Sequence, residues 1–391
     1  MQRRIPVKMA MKQPERSATP LTAQALLENL EDAGCGPEVT ERFLALERSG
    51  QYREQLRLLS GHRRKLLDRL HREERRIDCL DYLVYQLEKP PRRRILNPID
   101  IGGVAMTIIQ NQTFDQERAL YGMKELLVRD CSFDGPADGE SAFKECSGIQ
   151  VEHSFFNLRY PFWHDHGLSI KDCELTDKCR AALWYSEHIT IENTKLHGIK
   201  ALRECADAVV KNCDILSPEF GWNSRQVTME DCTAQSEYFM MRGTDLHFRN
   251  ASFKGKYSFQ YIENSVFENC SFDTKDAFWH AKNVVVRDCV VKGEYLAWYC
   301  ENVTFERCKI IGTQPLCYCK GLKLIDCEMV DCDLAFERSE VQATVTTPVV
   351  SVKNPLVGSH ITVPAMGEII RDIPEAGGEV IVRAGDRAVC A

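Results

Sequence analysis

All five tryptophans of the chain fall in one sequence column: Trp163, Trp184, Trp222, Trp279 and Trp298 each stand ten residues ahead of a small residue that recurs through the second half. Tyr121, Lys144, Arg203, Met241, Gln260 and Cys317 fill the remaining places. The next column carries Glu145, His164, Tyr185, Glu204, Asn223, Arg242, Tyr261, His280, Tyr299 and Tyr318. Indole and phenol rings stack on sugar rings, and flanking charged groups select hydroxyls or carboxylates. Trp163, Trp184, Arg203, Trp222, Arg242, Trp279, His280, Trp298 and Tyr299 are therefore the candidate carbohydrate-binding residues. Glu145, His164 and Asp165 are the candidate catalytic group, since two carboxylates and an imidazole can supply acid and base at a glycosidic bond or a uronic acid. The same three residues also suit a charged, solvated face, and no finished catalytic constellation surrounds them.

A repeat positions these columns. Segments such as LLVRDCSF, LSIKDCEL, AVVKNCDI, VVVRDCVV and LKLIDCEM place Cys131, Ser154, Cys173, Thr194, Cys213, Cys232, Ala251, Cys270, Cys289, Cys308 and Cys327 in equivalent positions. The steps are 23, 19 and 21 residues, followed by seven of 19. With an earlier copy, TIIQNQTF, twelve copies run from about Thr107 to Met329. Within each copy apolar and polar residues alternate with strand period. Asn or Asp precedes the small anchor in most copies, His153 and Arg307 being exceptions. Asn and Asp tolerate the left-handed conformation, so this column marks a sharp corner on every coil. Short strands stacked in register make a solenoid rising about 4.8 Å per coil. A single Asn/Asp corner per coil, without hexapeptide units, points to a mainly β, right-handed parallel β-helix of eleven or twelve coils over 107–340. Residues 341–391 lose the register and read as a C-terminal β cap.

Strand alternation sends neighbouring residues to opposite faces. Parity from the apolar position eleven before the anchor puts the tryptophans outside. The small residues eight before the anchor argue the opposite, unless a bend lies between them.

The chain has 18 cysteines in 391 residues. Eight occupy the anchor column, and Cys146, Cys205, Cys300 and Cys319 share the position eight before it. Stacked cysteines point in parallel, a poor geometry for a disulfide torsion or a tetrahedral zinc site. They read as an inward ladder chosen for size, with no metal and no cofactor expected. No run of apolar residues is long enough for a membrane-spanning helix, and Met1–Ala18 contains no signal-peptide apolar region. A cytoplasmic protein with no membrane partner is expected.

The first 94 residues differ in kind: their net charge is +6, against −13 for the remainder. Residues 1–20 read as a disordered leader, 21–90 as a helical module and 91–106 as a linker and N-terminal cap. Thr22 caps a helix starting at Ala23, and Pro37 opens the next. Leu59, Leu66, Leu80 and Leu87, interleaved with Leu70, Ile77 and Val84, form a heptad seam within Gln51–Lys89. That seam suits either a folded three-helix bundle or self-association, or docking of a protein partner, through 51–89. The acids Asp68, Glu73 and Glu74 among the arginines make the basic stretch a salt-bridged face and speak against nucleic acid.

Residues 95–391 resemble a bacterial β-helix family known only as a domain of unknown function. The resemblance rests on Glu117-Arg118-Ala119-Leu120-Tyr121-Gly122, on AALWYS, DAFWHA and EYLAWYC, and on Leu334-Ala335-Phe336-Glu337, Ser351-Val352-Lys353-Asn354-Pro355 and Met366-Gly367-Glu368-Ile369-Ile370. It implies a right-handed parallel β-helix of the pectate-lyase type and no known activity. The paired acids and Gly-His-Gly signature of polygalacturonases are absent, and the helical half lies outside the resemblance. Carbohydrate binding along the aromatic face is the leading expectation. An interaction scaffold and a polysaccharide lyase or hydrolase are the alternatives.

Overall fold

A computed structural model of the chain describes residues 23–52, 54–55, 57–62, 65–66, 69, 98–101, 104–384 and 387–390. The chain divides into two compact units, residues 1–94 and 95–391. In the first, α1 spans Ala23–Asp32 and α2 spans Pro37–Arg48, with Gly36 as N-cap and Pro37 in the first turn. Leu30 and Phe43 are buried. The 1–20 leader and most of the heptad seam lie outside the described residues.

The second unit is a parallel β-solenoid of about fifteen coils. Its largest face is a continuous ladder running from Val104–Gln110 to Glu379–Ala384. Register follows the sequence period: Ala208 pairs with Val227, and Val227 with Leu246. A second ladder follows the anchor, with Phe253 paired to Phe272 and Phe272 to Val291. The third face is built of two-residue strands, among them Phe162–Trp163, Leu183–Trp184 and Leu202–Arg203. Phenylalanines fill the interior. Phe133 and Phe156 stack at 4.6 Å with ring planes 1° apart, and Phe143 meets Phe162 at 5.0 Å.

Twelve coils follow the recognised repeat, and the stretch expected as a cap carries three more parallel rungs. Val341–Val345, His360–Val363 and Glu379–Ala384 extend the ladder, pairing Gln342 with His360 and His360 with Glu379. The anchor cysteine and its Asn/Asp partner are gone there, so the motif fails while the backbone period of 18 to 19 residues persists. Antiparallel strands close each end, Pro98–Ile101 against Val104–Gln110 and Arg387–Cys390 against Glu379–Ala384.

The Asn/Asp column does turn the chain. Asn111, Asp130, Asp172, Asn193, Asn212, Asp231 and their equivalents have φ near +50°, and the two exceptions conform, His153 at +46° and Arg307 at +50°. Amides link successive corners, with Asn212 Nδ2 donating to Asn193 Oδ1 at 2.7 Å and Asn193 Nδ2 to Asp172 Oδ1 at 3.0 Å. This is not the single corner per coil expected from sequence. Left-handed residues recur six, nine and thirteen positions before the anchor, as at Asn283, His280 and Asp276, and on several coils also eleven before it, as at Phe278 and Ala297. Those columns mix residue types, so composition alone does not mark them.

The residue two before the anchor alternates in sign down the solenoid: Arg129, Glu152, Lys171, Glu192, Lys211, Glu230, Arg249, Glu268, Arg287 and Glu306. Parallel pairing makes each the direct neighbour of the next. Arg129 bridges Glu152 at 2.7 Å, Arg287 bridges Glu306 at 3.0 Å, and Glu230 lies between Lys211 and Arg249. Opposite charges on facing strands favour this register, and sliding one strand past its neighbours by a coil would set like charges together.

Candidate functional site

The aromatic columns owe their placement to the left-handed residue nine before each anchor. Glu145, His164, Tyr185, Glu204, Asn223, Arg242, Tyr261, His280, Tyr299 and Tyr318 all have φ between +52° and +61°. A strand alternates sides at every residue, and a left-handed residue breaks that alternation. The result is two outward residues in succession, at positions ten and nine, between buried ones at eleven and eight. Phe162 and Asp165 bracket Trp163 and His164 in this way, and Leu183 and Ser186 bracket Trp184 and Tyr185.

The two outward columns do different work. The tryptophans are half-buried. Trp222, Trp279 and Trp298 donate Nε1–H to the carbonyls of Tyr238, Tyr295 and Gln314 at 3.3, 2.6 and 2.7 Å, each sixteen residues on. Trp163 stacks on Trp184 at 5.5 Å, and Trp279 on Trp298 at 5.3 Å. Cations complete the column: the Lys144 ammonium lies 4.3 Å from the Trp163 ring centre, and the Arg203 guanidinium lies over Trp184 at 5.1 Å and Trp222 at 5.8 Å. Lys144 and Arg203 are only 2% and 9% exposed. The tryptophans thus form structural stacks that tie neighbouring coils, with both faces covered at Trp163 and Trp184 and at least one at Trp222, Trp279 and Trp298.

Position nine is the accessible column. Tyr261, His280, Tyr299 and Tyr318 form an unbroken ring ladder with centroids 4.8, 5.1 and 4.9 Å apart and planes within 12°. Arg242 extends it, its guanidinium 5.8 Å from the Tyr261 ring. Tyr261 and Tyr299 are 45% and 41% exposed. Because the rings stack along the solenoid axis, each covers its neighbour's face, and edges are what the surface presents. Burial and the nearby Lys282 hold the His280 imidazole below its ordinary pKa. Burial and then Glu337 push the Tyr318 phenol up to about 12. His280 and Tyr318 are therefore uncharged near neutrality.

Sequence columns missed one contribution. Tyr238, Tyr257 and Tyr295, thirteen before their anchors, flank the tryptophans. Tyr238 stacks on Tyr257 at 5.0 Å, and Tyr295 meets Trp298 edge-on at 5.4 Å. Lys256 and Lys275 lie over Tyr257 and Tyr295 at 4.3 and 5.1 Å. The signal was present in the spacing, but Asp276 interrupts the column and hides it.

The candidate catalytic residues do not converge. Glu145 is exposed and accepts the Tyr121 hydroxyl at 2.5 Å. His164 is exposed and stacks on Tyr185 at 4.9 Å. Asp165 points the other way. It is 2% exposed, its Oδ1 accepts the Cys146 N–H at 2.8 Å, and its Oδ2 has no partner. Burial first, then the Glu145 charge, raises this carboxyl well above the usual range. Strand alternation past the left-handed His164 is the reason: Asp165 occupies the inward column that elsewhere holds Cys146, Ser186 and Cys205.

The described cysteines carry free thiols. In the anchor column Cys289 Sγ donates to Arg287 O at 2.9 Å and accepts the Cys270 N–H at 3.2 Å, so each coil is stitched to the next. Burial raises thiols such as Cys173, to about 11, and Cys179, to about 12. Among the described residues no group of three His, Cys, Asp or Glu side chains could hold a metal ion. No described helix is long and apolar enough to cross a membrane.

Among solved structures, the chain is similar to the A-module of mannuronan C-5 epimerase AlgE4 of Azotobacter vinelandii, at 11% identity over 60% of this chain and 88% of that one, with a TM-score of 0.26. It is also similar to tailspike protein 3 of bacteriophage CBA120, at 10% identity over 73% of this chain and 52% of that one, with a TM-score of 0.22. Overlaps this loose carry no functional argument. No curated protein matches the sequence. Residues 107–381, which hold most of the strands of the solenoid, match the family described as "Protein of unknown function (DUF3737)", and the chain belongs to that family.

Proposed function

We propose that this β-helix binds carbohydrate, without cleaving it, along the face that carries the Tyr261–His280–Tyr299–Tyr318 ladder. The observation behind this is the pair of well-exposed tyrosines, Tyr261 and Tyr299, held rigid by stacking and repeated at coil spacing. Ring edges and phenol hydroxyls offer hydrogen bonds and apolar contact to a ligand lying along the axis. Five coils from Arg242 to Tyr318 give a strip roughly 20 Å long, which suits a ligand that itself repeats. The tryptophans act beside it as support, and the contact expected from sequence, a sugar laid flat on an indole, gives way to one made at ring edges. Support for a non-catalytic reading comes from Asp165, which faces inward, away from the exposed Glu145 and His164.

Titration of the full chain with neutral and acidic oligosaccharides, followed by tryptophan fluorescence, tests this. Trp279 and Trp298 lie beside the ladder, edge-on to Tyr299, and report occupancy. The double variant Tyr261→Ala, Tyr299→Ala should weaken binding at least tenfold while retaining the fold. Silence across the panel, or unchanged affinity in the double variant, would reject the proposal.

A further inference from the structure

A separate depression of about 270 Å³ lies on the outer side of the largest ladder, away from the aromatic face. It arises because the left-handed column six before the anchor loses its side chains on two adjacent coils, at Gly148 and Gly167 with φ of +64° and +71°. The coils before and after carry Glu125 and His188 in that column. Glu125 leans over Gly148, where its carboxyl atoms come within 2.6 to 2.8 Å of the place a Cβ would take. A Cβ on Gly167, by contrast, would meet only the backbone of Gly148, at 3.6 and 3.9 Å, so the gap is open there.

The far wall is built. His188 Nδ1 is hydrogen-bonded to Asp207 Oδ2 at 2.5 Å, which fixes the ring and leaves Nε2 as its nitrogen for a ligand. His166 packs on that ring at 4.5 Å. Gln150, Ser169 and Thr190 add an amide and two hydroxyls along one side. A carboxylate acceptor thus faces a carboxylate-held imidazole across a floor of backbone, with small polar side chains beside it.

We propose that this trough binds one uncharged, polyhydroxylated ring, of the size of a single hexose. One hydroxyl donates to Glu125 and another engages His188 Nε2, while Gln150, Ser169 and Thr190 take the rest. Glu125 and Asp207 repel an anionic ligand, and a volume just below the usual range for small-molecule sites suits a single ring. This site stands on its own residues and does not depend on the aromatic face.

Ligand-observed saturation-transfer NMR on the full chain tests it, with methyl glucoside, methyl galactoside and methyl mannoside as probes and glucuronate and glucosamine as charged comparators. At least one neutral methyl hexoside should bind. Gly167→Asn should cost at least tenfold in affinity by plugging the gap, and it should fold because Asn264, Asn283 and Asn302 occupy this column with φ of +51° to +54°. His188→Leu provides a second route to the same loss, should Gly167→Asn disturb the coil. Tyr261→Ala with Tyr299→Ala should leave the signal intact. No saturation transfer to any neutral hexoside, retention of binding in both trough variants, or preference for either charged sugar would overturn the proposal.

Discussion

Replacing Asp165 by serine should stabilise the solenoid, by an amount that grows with pH. The carboxyl is buried in the inward column between Cys146 and Ser186, with Oδ1 satisfied by the Cys146 N–H and Oδ2 without a partner. Its folded pKa is raised by burial and by Glu145, so the folded chain holds a proton that the unfolded chain releases above the ordinary carboxylate range. Stability changes with pH as the difference in protons bound, unfolded minus folded, which is negative here. The contribution of Asp165 is therefore fully present below its unfolded pKa near 3.8 and is lost as pH rises, by about 1.4 kcal/mol per pH unit until the folded carboxyl itself ionises.

Serine keeps an acceptor for the Cys146 N–H and can donate to a carbonyl of the preceding coil. Ser339, in the same column, does this with its Oγ 2.7 Å from Leu316 O. At pH 4, where the unfolded carboxyl is only about half ionised and little of this loss has accrued, the two proteins should agree within about 1 kcal/mol. Urea unfolding at unit pH intervals from 4 to 7, followed through tryptophan emission, measures the divergence, because Trp163 shares the coil of Asp165 and Trp184 sits on the next. Equal midpoint differences at every pH would refute the buried, proton-retaining carboxyl. So would a serine variant less stable than the parent at pH 7.

Gly312→Ala should lower stability by about 2–4 kcal/mol in thermal melts, since φ is +132° and the new Cβ would lie 2.2 Å from the Gly293 carbonyl oxygen. Glu230→Lys sets three cations in succession with Lys211 and Arg249, so its melting temperature should fall at low salt and recover largely at about 0.5 M sodium chloride, where such repulsion is screened. Trp279→Ala, which removes a stacked indole and its bond to Tyr295 O, should cost about 3 kcal/mol, whereas Tyr299→Ala should cost less than half as much by the same denaturation assay. If residues 51–89 drive self-association, sedimentation of the full chain will depend on concentration, and Leu59→Asp with Leu66→Asp will abolish that dependence.

What the sequence disclosed and what it withheld separate along one physical line. Nineteen-residue spacing exposes the coil because every turn must place one small anchor and one left-handed corner, and His153 and Arg307 show that the backbone keeps the corner even where the residue does not advertise it. The tail escaped for the complementary reason: three rungs persist there by strand pairing alone, with no anchor to count. Side-chain direction was harder, because parity works only while alternation is unbroken. A left-handed residue such as His164 or Tyr299 resets it, and nothing in their chemistry signals φ near +60°. That reset sends Asp165 into the core beside Cys146 and brings Tyr299 to the surface beside Trp298. On the proposed reading, the same reset lets a column of indoles, the most conspicuous feature of the sequence, support the face that its less conspicuous neighbours form. The test of this ordering is energetic: loss should fall on stability at Trp279 and on binding at Tyr299, and a reversal of the two would mean that the indoles, after all, meet the ligand.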